Sequence, residues 1–161
     1  MFPIAGLFSS STPKVGDVVP DFTCTDTEGG THTLSAMLQR GPVVVAFFPK
    51  AFTPTCTREL QGYRDRHEEL TQASGQVLAV SMDDAETMRR FKQTLGAPFT
   101  FVPDPDGALV RLFDVKMPLI SLPRRFTFVI GEGRRILKVE AGKDAADPGG
   151  AIGSCSIGRA P

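Results

Sequence analysis

Val43-Val44-Val45-Ala46-Phe47-Phe48-Pro49-Lys50-Ala51-Phe52-Thr53-Pro54-Thr55-Cys56 is the stretch on which the fold turns. Its six leading apolar residues read as a buried strand, Pro49 ends that strand, and a helix starts a few residues later. Thr53 has the chemistry of an N-cap, and Pro54 suits the first helical position, where its missing N–H would have had no partner. Cys56 then falls at the third helical position. Its sulfur sits among unpaired backbone donors at the positive end of the helix dipole, which favours thiolate over thiol. A helix terminus supplies only about 1 kcal/mol of that preference, so a strongly activated thiol also calls for a nearby cation.

Downstream, Leu60, Tyr63, His67 and Leu70 recur three or four apart and predict one helix from about Pro54 to Ala73, closed by Gly75. Val77-Leu78-Ala79-Val80-Ser81 reads as a second buried strand. Asp83 with Glu86 three residues later has the pattern of a capping box. The helix it opens carries Ala85, Met88, Phe91 and Leu95 on one face and stops at Gly96. Phe99-Thr100-Phe101-Val102 is a third strand, and Asp104-Pro105 opens a short helix through Phe113. Phe126 to Ile130 and Ile136 to Val139 form a hairpin across Gly131-Glu132-Gly133. Upstream, Phe22 and Cys24 alternate with Thr23 and Thr25 ahead of Glu28-Gly29-Gly30 and His32-Thr33-Leu34, which predicts a small N-terminal hairpin, with Ser35 capping a brief helix to Leu38. Strands alternating with helices, then a terminal hairpin, predict an α/β domain with a central mixed sheet and helices on both faces, because parallel neighbours need crossovers. The ordered domain is expected over 15–142. A loose leader over 1–14 precedes it, and a flexible Gly/Pro-rich tail over 143–161, carrying Cys155, follows.

The chain of 161 residues has the size of one domain and can build a single core without metals or disulfides. Its 18 basic and 18 acidic residues cancel, which gives no general electrostatic reason to bind nucleic acid or an anionic membrane. The N-terminus lacks the positive flank and the unbroken apolar stretch of a signal peptide, and no later run is long enough to span a bilayer. Three cysteines, far apart and odd in number, suit a reducing compartment, so a soluble cytoplasmic protein is expected. His32, His67 and the scattered cysteines have no zinc-like spacing, so no metal is expected. No phosphate loop or dinucleotide fingerprint appears. No cofactor is therefore expected, and electrons should come from a protein or small thiol.

Pro49, Thr53 and Cys56 match the pattern Pro-x-x-x-Thr-x-x-Cys, and the chain resembles the peroxiredoxins, the alkyl hydroperoxide reductase and thiol-specific antioxidant family, from about Val15 to about Val139. Glu59 and the strand Arg125-Phe126-Thr127-Phe128-Val129-Ile130 belong to the likeness, which is nearest to the bacterioferritin-comigratory-protein type. The resemblance implies a thioredoxin-like fold with an N-terminal hairpin extension, the fold that the order of elements also indicates. It also implies a thiol-dependent peroxidase that reduces hydrogen peroxide and organic hydroperoxides through a Cys56 thiolate and a sulfenic acid. By the same resemblance Pro49 shields the sulfur, the Thr53 hydroxyl contacts the peroxide as well as capping the helix, Arg125 is the required cation, and Glu59 supports that arginine. The residues alone leave Arg124 as a rival, and successive strand residues point to opposite faces. The resemblance favours Arg125 through its spacing to Phe128-Val129-Ile130.

Turnover requires a thiol to reduce the sulfenate. Many proteins of this type carry a resolving cysteine five residues after the nucleophile, and that position is Gln61 here. Cys24 reads as a small buried hydrophobe. Cys155 is a possible resolving cysteine, and a one-cysteine mechanism with an external thiol is its equal. The expected partners are peroxide and a thioredoxin, glutaredoxin or small-thiol reductant, with the protein a monomer or a homodimer. Glu59 stands where a thiol–disulfide oxidoreductase would need its second cysteine, which argues against that class. A redox-responsive binding or chaperone protein using Cys56 as a sensor is the alternative of a different class.

Overall fold

The computed structural model describes residues 11–158. Its centre is a five-stranded sheet of β3 (Val43–Phe47), β4 (Gln76–Ser81), β5 (Thr100–Pro103), β6 (Phe126–Gly131) and β7 (Arg135–Ala141), in the order β5-β4-β3-β6-β7. β3 runs parallel to β4, and β4 to β5, while β6 is antiparallel to both of its neighbours, so the sheet is mixed. A separate hairpin pairs β1 (Thr23–Thr25) with β2 (Thr31–Thr33). The helices are α1 (Leu34–Leu38), α2 (Pro54–Asp65), α3 (His67–Gln72), α4 (Ala85–Leu95), α5 (Ala108–Leu112) and α6 (Gly149–Gly158). This is the thioredoxin fold with the expected N-terminal hairpin.

Alternation along the strands divides the interior into two cores. Val43, Val45 and Phe47 of β3, with Leu78, Val80, Phe128 and Ile130, meet α1, α5 and the N-terminal segment. There the rings of Phe47, Phe113 and Phe128 pack at centroid distances of 5.2, 6.0 and 4.9 Å. Val44, Val77, Ala79 and Val129 point the other way, into a core closed by Leu60 and Tyr63 of α2, Leu70 of α3, Phe91 of α4 and Ala151 of α6.

Four local expectations are revised. The single helix from Pro54 to Ala73 is two, because Arg66, at φ −106° and ψ 20°, leaves the helical region between α2 and α3. Thr33, not Ser35, precedes α1, and the Ser35 hydroxyl donates to Asp21 Oδ2 instead. Asp84, not Asp83, caps α4 by accepting from the Thr87 N–H at 2.8 Å. The flexible tail is an ordered helix from Gly149, so the folded domain runs past residue 142 to 158. Its glycines and proline read as a loop, but Ala151, Ile152 and Cys155 lie on one helical face and are buried against β6, β7 and α3. Gly150 lets the helix lie close to the side chains of Glu140 and Lys138 on β7. Of the loose leader, residues 1–10 lie outside the described residues, while the Thr12 hydroxyl donates to the Asp114 carbonyl at 2.8 Å.

Candidate active site

The site lies where the β3 chain leaves the sheet and enters α2. Thr53 is the residue before the helix, with extended backbone at φ −81° and ψ 152°, and the ladder begins with Thr57 N–H donating to the Thr53 carbonyl at 2.9 Å. Pro54 has no N–H, so the amides of Thr55 and Cys56 are the first-turn donors without an intrahelical partner. The Thr53 side chain does not cap them. Its hydroxyl donates back to the Lys50 carbonyl at 2.8 Å and closes the loop after β3, which corrects the expected side-chain cap.

Cys56 is 1% exposed, so its sulfur is held out of bulk water. Arg125 reaches it from the strand edge just before β6, with Nη2 donating to Cys56 Sγ at 3.1 Å. The Nη1 of the same guanidinium donates to Glu59 Oε1 at 2.5 Å, and Glu59 is wholly buried. Cys56 and Glu59 are three residues apart, hence on one side of the first turns of α2, and the planar fork of arginine spans both acceptors. Register decides between the two arginines. Arg125, Thr127 and Val129 share the face that packs on α2 and α6, whereas Arg124 turns to the other side, stacks 5.0 Å over the Phe126 ring and donates to the Asp114 carbonyl.

Burial raises the Glu59 carboxyl to about 7 even though Arg125 pulls it down. Burial also works against the Arg125 charge, but hydrogen bonding and attraction to Cys56 and Glu59 outweigh it and raise the guanidinium above its ordinary value. Half-buried Pro49 and Thr53 complete the loop.

Sequence reasoning missed what holds that loop to the scaffold. Asp83, two residues past the end of β4, accepts from the Ala51 N–H at 2.8 Å and from the Ser81 hydroxyl at 2.6 Å. Two successive aspartates were the available signal, since only one of them can cap α4. Phe52 sits in the left-handed region at φ 67° and leans on Phe91 with centroids 4.9 Å apart. A non-glycine residue at positive φ beside a reactive group is the kind of strain that functional loops carry.

The other cysteines stand elsewhere. Cys24 is buried in β1, and its thiol is pushed up to about 11, by burial first and then by Asp26 and Asp104. Cys155 is wholly buried in α6, and burial pushes its thiol up to about 12. A Cβ built on Gly75 would lie 3.1 Å from Cys155 Sγ, which puts that sulfur at the start of β4. Cys56 follows the opposite end of β3. The four residue-to-residue steps of parallel register from Val43 opposite Gln76 to Phe47 opposite Val80 amount to about 13 Å of strand between the two levels. The structure therefore brings Cys56, Glu59 and Arg125 together and leaves Cys155 apart from them. No group of three or more histidine, cysteine or acidic side chains that could hold a metal occurs among the described residues.

The AhpC/TSA family model matches residues 15–139. The chain belongs to this family. Its relatives include a putative peroxiredoxin of Mycobacterium tuberculosis, 33% identical over 137 residues that make up 83% of this chain and 89% of that one. The chloroplastic peroxiredoxin Q of Oryza sativa is 35% identical over 116 residues, 71% of this chain and 53% of the plant protein. The structure of the peroxidoxin BcpB from Mycobacterium tuberculosis superposes with a TM-score of 0.83 at 29% identity, over 92% of this chain and 98% of that chain. Peroxiredoxin Q of Xanthomonas campestris gives a TM-score of 0.79 at 25% identity, over 86% and 92%. This AhpC/TSA member is a peroxiredoxin of the bacterioferritin-comigratory-protein and peroxiredoxin Q type, a thiol peroxidase that acts on peroxides with thiol reductants.

Proposed function

We propose that Cys56 is the peroxidatic thiol and that hydrogen peroxide and organic hydroperoxides are the substrates. The observation that carries this reading is a single guanidinium bonded to Cys56 Sγ at 3.1 Å and to buried Glu59 at 2.5 Å. The sulfur attacks one peroxide oxygen, an S–O bond forms and the O–O bond breaks. The electron pair goes to the departing oxygen, which takes up a proton and leaves as water or alcohol. Sulfur is oxidised by two electrons to the sulfenate. Arg125 and the free amides at the start of α2 stabilise the charge that moves from sulfur to oxygen, which is electrostatic preorganisation in a site shielded from water. Pro49 shields the sulfur, and Thr53 lines the approach. Phe52, 48% exposed next to Thr53, supplies an apolar rim suited to an alkyl hydroperoxide.

The sulfenate is then recycled by an external thiol, a thioredoxin, glutaredoxin or small thiol. The first thiol condenses with it to a mixed disulfide and water, and a second thiol releases Cys56. Burial of Cys155 and its level at the opposite end of the sheet support this one-cysteine course, since a disulfide needs Cα atoms within about 7 Å. The three free thiols fit a reducing compartment, the cytoplasm.

The test is steady-state peroxide consumption with several thiol donors. Cys56→Ser is expected to abolish it, and Cys155→Ala to leave the turnover number within about twofold of wild type, since small effects of a buried packing change fall on stability. One round of oxidation and then arrest with every donor would favour a sensor instead. A Cys56–Cys155 disulfide seen by mass spectrometry after one equivalent of peroxide would reinstate Cys155 as the resolving thiol.

A further inference from the structure

Behind the guanidinium the interior stays polar where a core of this kind is usually apolar. Glu59 uses only Oε1 on Arg125. Its Oε2, the Tyr63 hydroxyl, the Thr127 hydroxyl and Glu140 Oε1 are each buried and have no hydrogen-bond partner among the described residues. Native interiors pair nearly all such atoms, and four orphans that share one region require a joint explanation.

They do share one region. Glu59 and Tyr63 are four apart on α2, hence stacked on one face. Thr127 follows Arg125 by two on β6, so it faces the same helix, and Glu140 of β7 is its direct cross-strand partner. The Thr127 hydroxyl is near enough to act on the Tyr63 phenol without meeting the full criteria of a hydrogen bond to it, and Tyr63 feels the charges of both Glu59 and Glu140. Glu140 in turn acts on Glu59. An ionised carboxylate only accepts, whereas a hydroxyl donates and accepts, so the donors that Glu59 Oε2 lacks are the two that these hydroxyls offer.

We propose that Tyr63 and Thr127 are positioning residues for the peroxidatic site: their hydroxyls, directly or through one bridging water, hold the inner oxygen of Glu59, fix Arg125 on Cys56, and continue the line to Glu140 at the sheet edge. This rests on the reading of Cys56 and Arg125 as the reacting pair. The groups that face Glu59 are Arg125 from just before β6, Cys56 and Tyr63 from α2, and Glu140 from β7. Beyond them Lys138, Asp144 and Asp147 act on Glu140, and Cys155 of α6 acts on Tyr63. A donor on Glu59 favours its ionised form, so removing one raises the pH at which Glu59 ionises and grips Arg125.

The chain has one tyrosine and no tryptophan, so its ultraviolet emission reports Tyr63 alone. A carboxylate that accepts the phenol proton quenches that emission. A pH titration of the reduced protein is expected to show emission falling through a midpoint near 7, where Glu59 titrates. Glu59→Gln should erase the step, and Thr127→Val should move it up by about 0.7 unit, the equivalent of a fivefold change from one hydrogen bond. In turnover, Tyr63→Phe is expected to lower kcat/KM for peroxide about fivefold at neutral pH and to have no effect in the Glu59→Gln background. Emission flat through neutrality, or a Tyr63→Phe loss of the same size in both backgrounds, overturns the proposal, since a packing role would give that result. If wild type shows no peroxidase turnover yet the Glu59-dependent emission step is present, the cluster stands and the peroxidase reading falls.

Discussion

One guanidinium serves two acceptors of different kinds, a sulfur at 3.1 Å and a buried carboxylate at 2.5 Å, and this double duty sets what each residue tolerates. A lysine presents a point charge without a fork, so it can approach Cys56 or Glu59 but cannot bridge both with the same geometry. Arg125→Lys is expected to lower kcat/KM for peroxide by about a hundredfold or more, the size of losing a preorganised donor in a water-shielded site. Arg124→Lys should stay within about twofold, since Arg124 faces Phe126 and the Asp114 carbonyl. Stopped-flow peroxide reduction on both variants checks this, and an equal loss in the two would mean that strand register does not decide the site. Glu59 adds a pH term to stability. Its folded carboxyl sits near 7 against 4.5 unfolded, so between those values the folded state holds the extra proton, and stability falls as pH rises from about 4.5 to 7. Glu59→Gln removes the titration, and urea midpoints measured across that window should lose this slope.

At the scale of elements, α6 closes the core on the side of the reactive thiol. Ala151 is wholly buried in it among Tyr63, Leu70 and Val129, so Ala151→Asp places an unpaired carboxylate inside and is expected to cost at least about 3 kcal/mol. Denaturant unfolding measures that cost, and a change below about 1 kcal/mol would show that α6 is an appendage. This helix was illegible in the sequence because Asp147-Pro148-Gly149-Gly150 and Gly153 have loop chemistry, and what sustains it is the burial of Ala151, Ile152 and Cys155 in the core, a tertiary fact. The β3 to α2 passage was legible for the opposite reason: an apolar run, a proline and an N1 proline are each local signals that point the same way. The position of Cys56 could be read from spacing, and Glu59 and Arg125 from a family likeness, but the contact between them depends on β3 pairing antiparallel with β6, Phe47 opposite Phe126. Asp83 was misread as a cap because its partner, the Ala51 amide, is 32 residues away.

Across the whole molecule the three thiols are divided between environments. Cys56 has a cation and helix amides beside it, while Cys24 and Cys155 are buried on opposite faces of the sheet, with no cation acting on either among the described residues. Burial holds their thiols protonated up to about 11 and about 12, against 9.0 for a free thiol. The consequence for stability has a definite sign. In the unfolded chain both thiols ionise near 9, so above that pH the folded state binds more protons than the unfolded state, and folding weakens as pH rises. Stability from these groups is complete below about pH 9 and is lost progressively as pH climbs towards 11 and 12. Each thiol should remove about 1 kcal/mol per pH unit in that window. Tyr63, whose phenol burial and the Glu59 charge also push up, adds to the loss once unfolded phenols ionise above about pH 10. Urea unfolding of the reduced protein between pH 8 and 10 is therefore expected to show a falling midpoint. Cys24→Ala and Cys155→Ala should each flatten the slope by its own share, and a double variant should flatten both, because the two sites lie on opposite sides of the sheet and act independently. A slope unchanged by either substitution would mean that these sulfurs reach solvent in the folded state, and the division between one thiol beside a cation and two sealed thiols would fail with it.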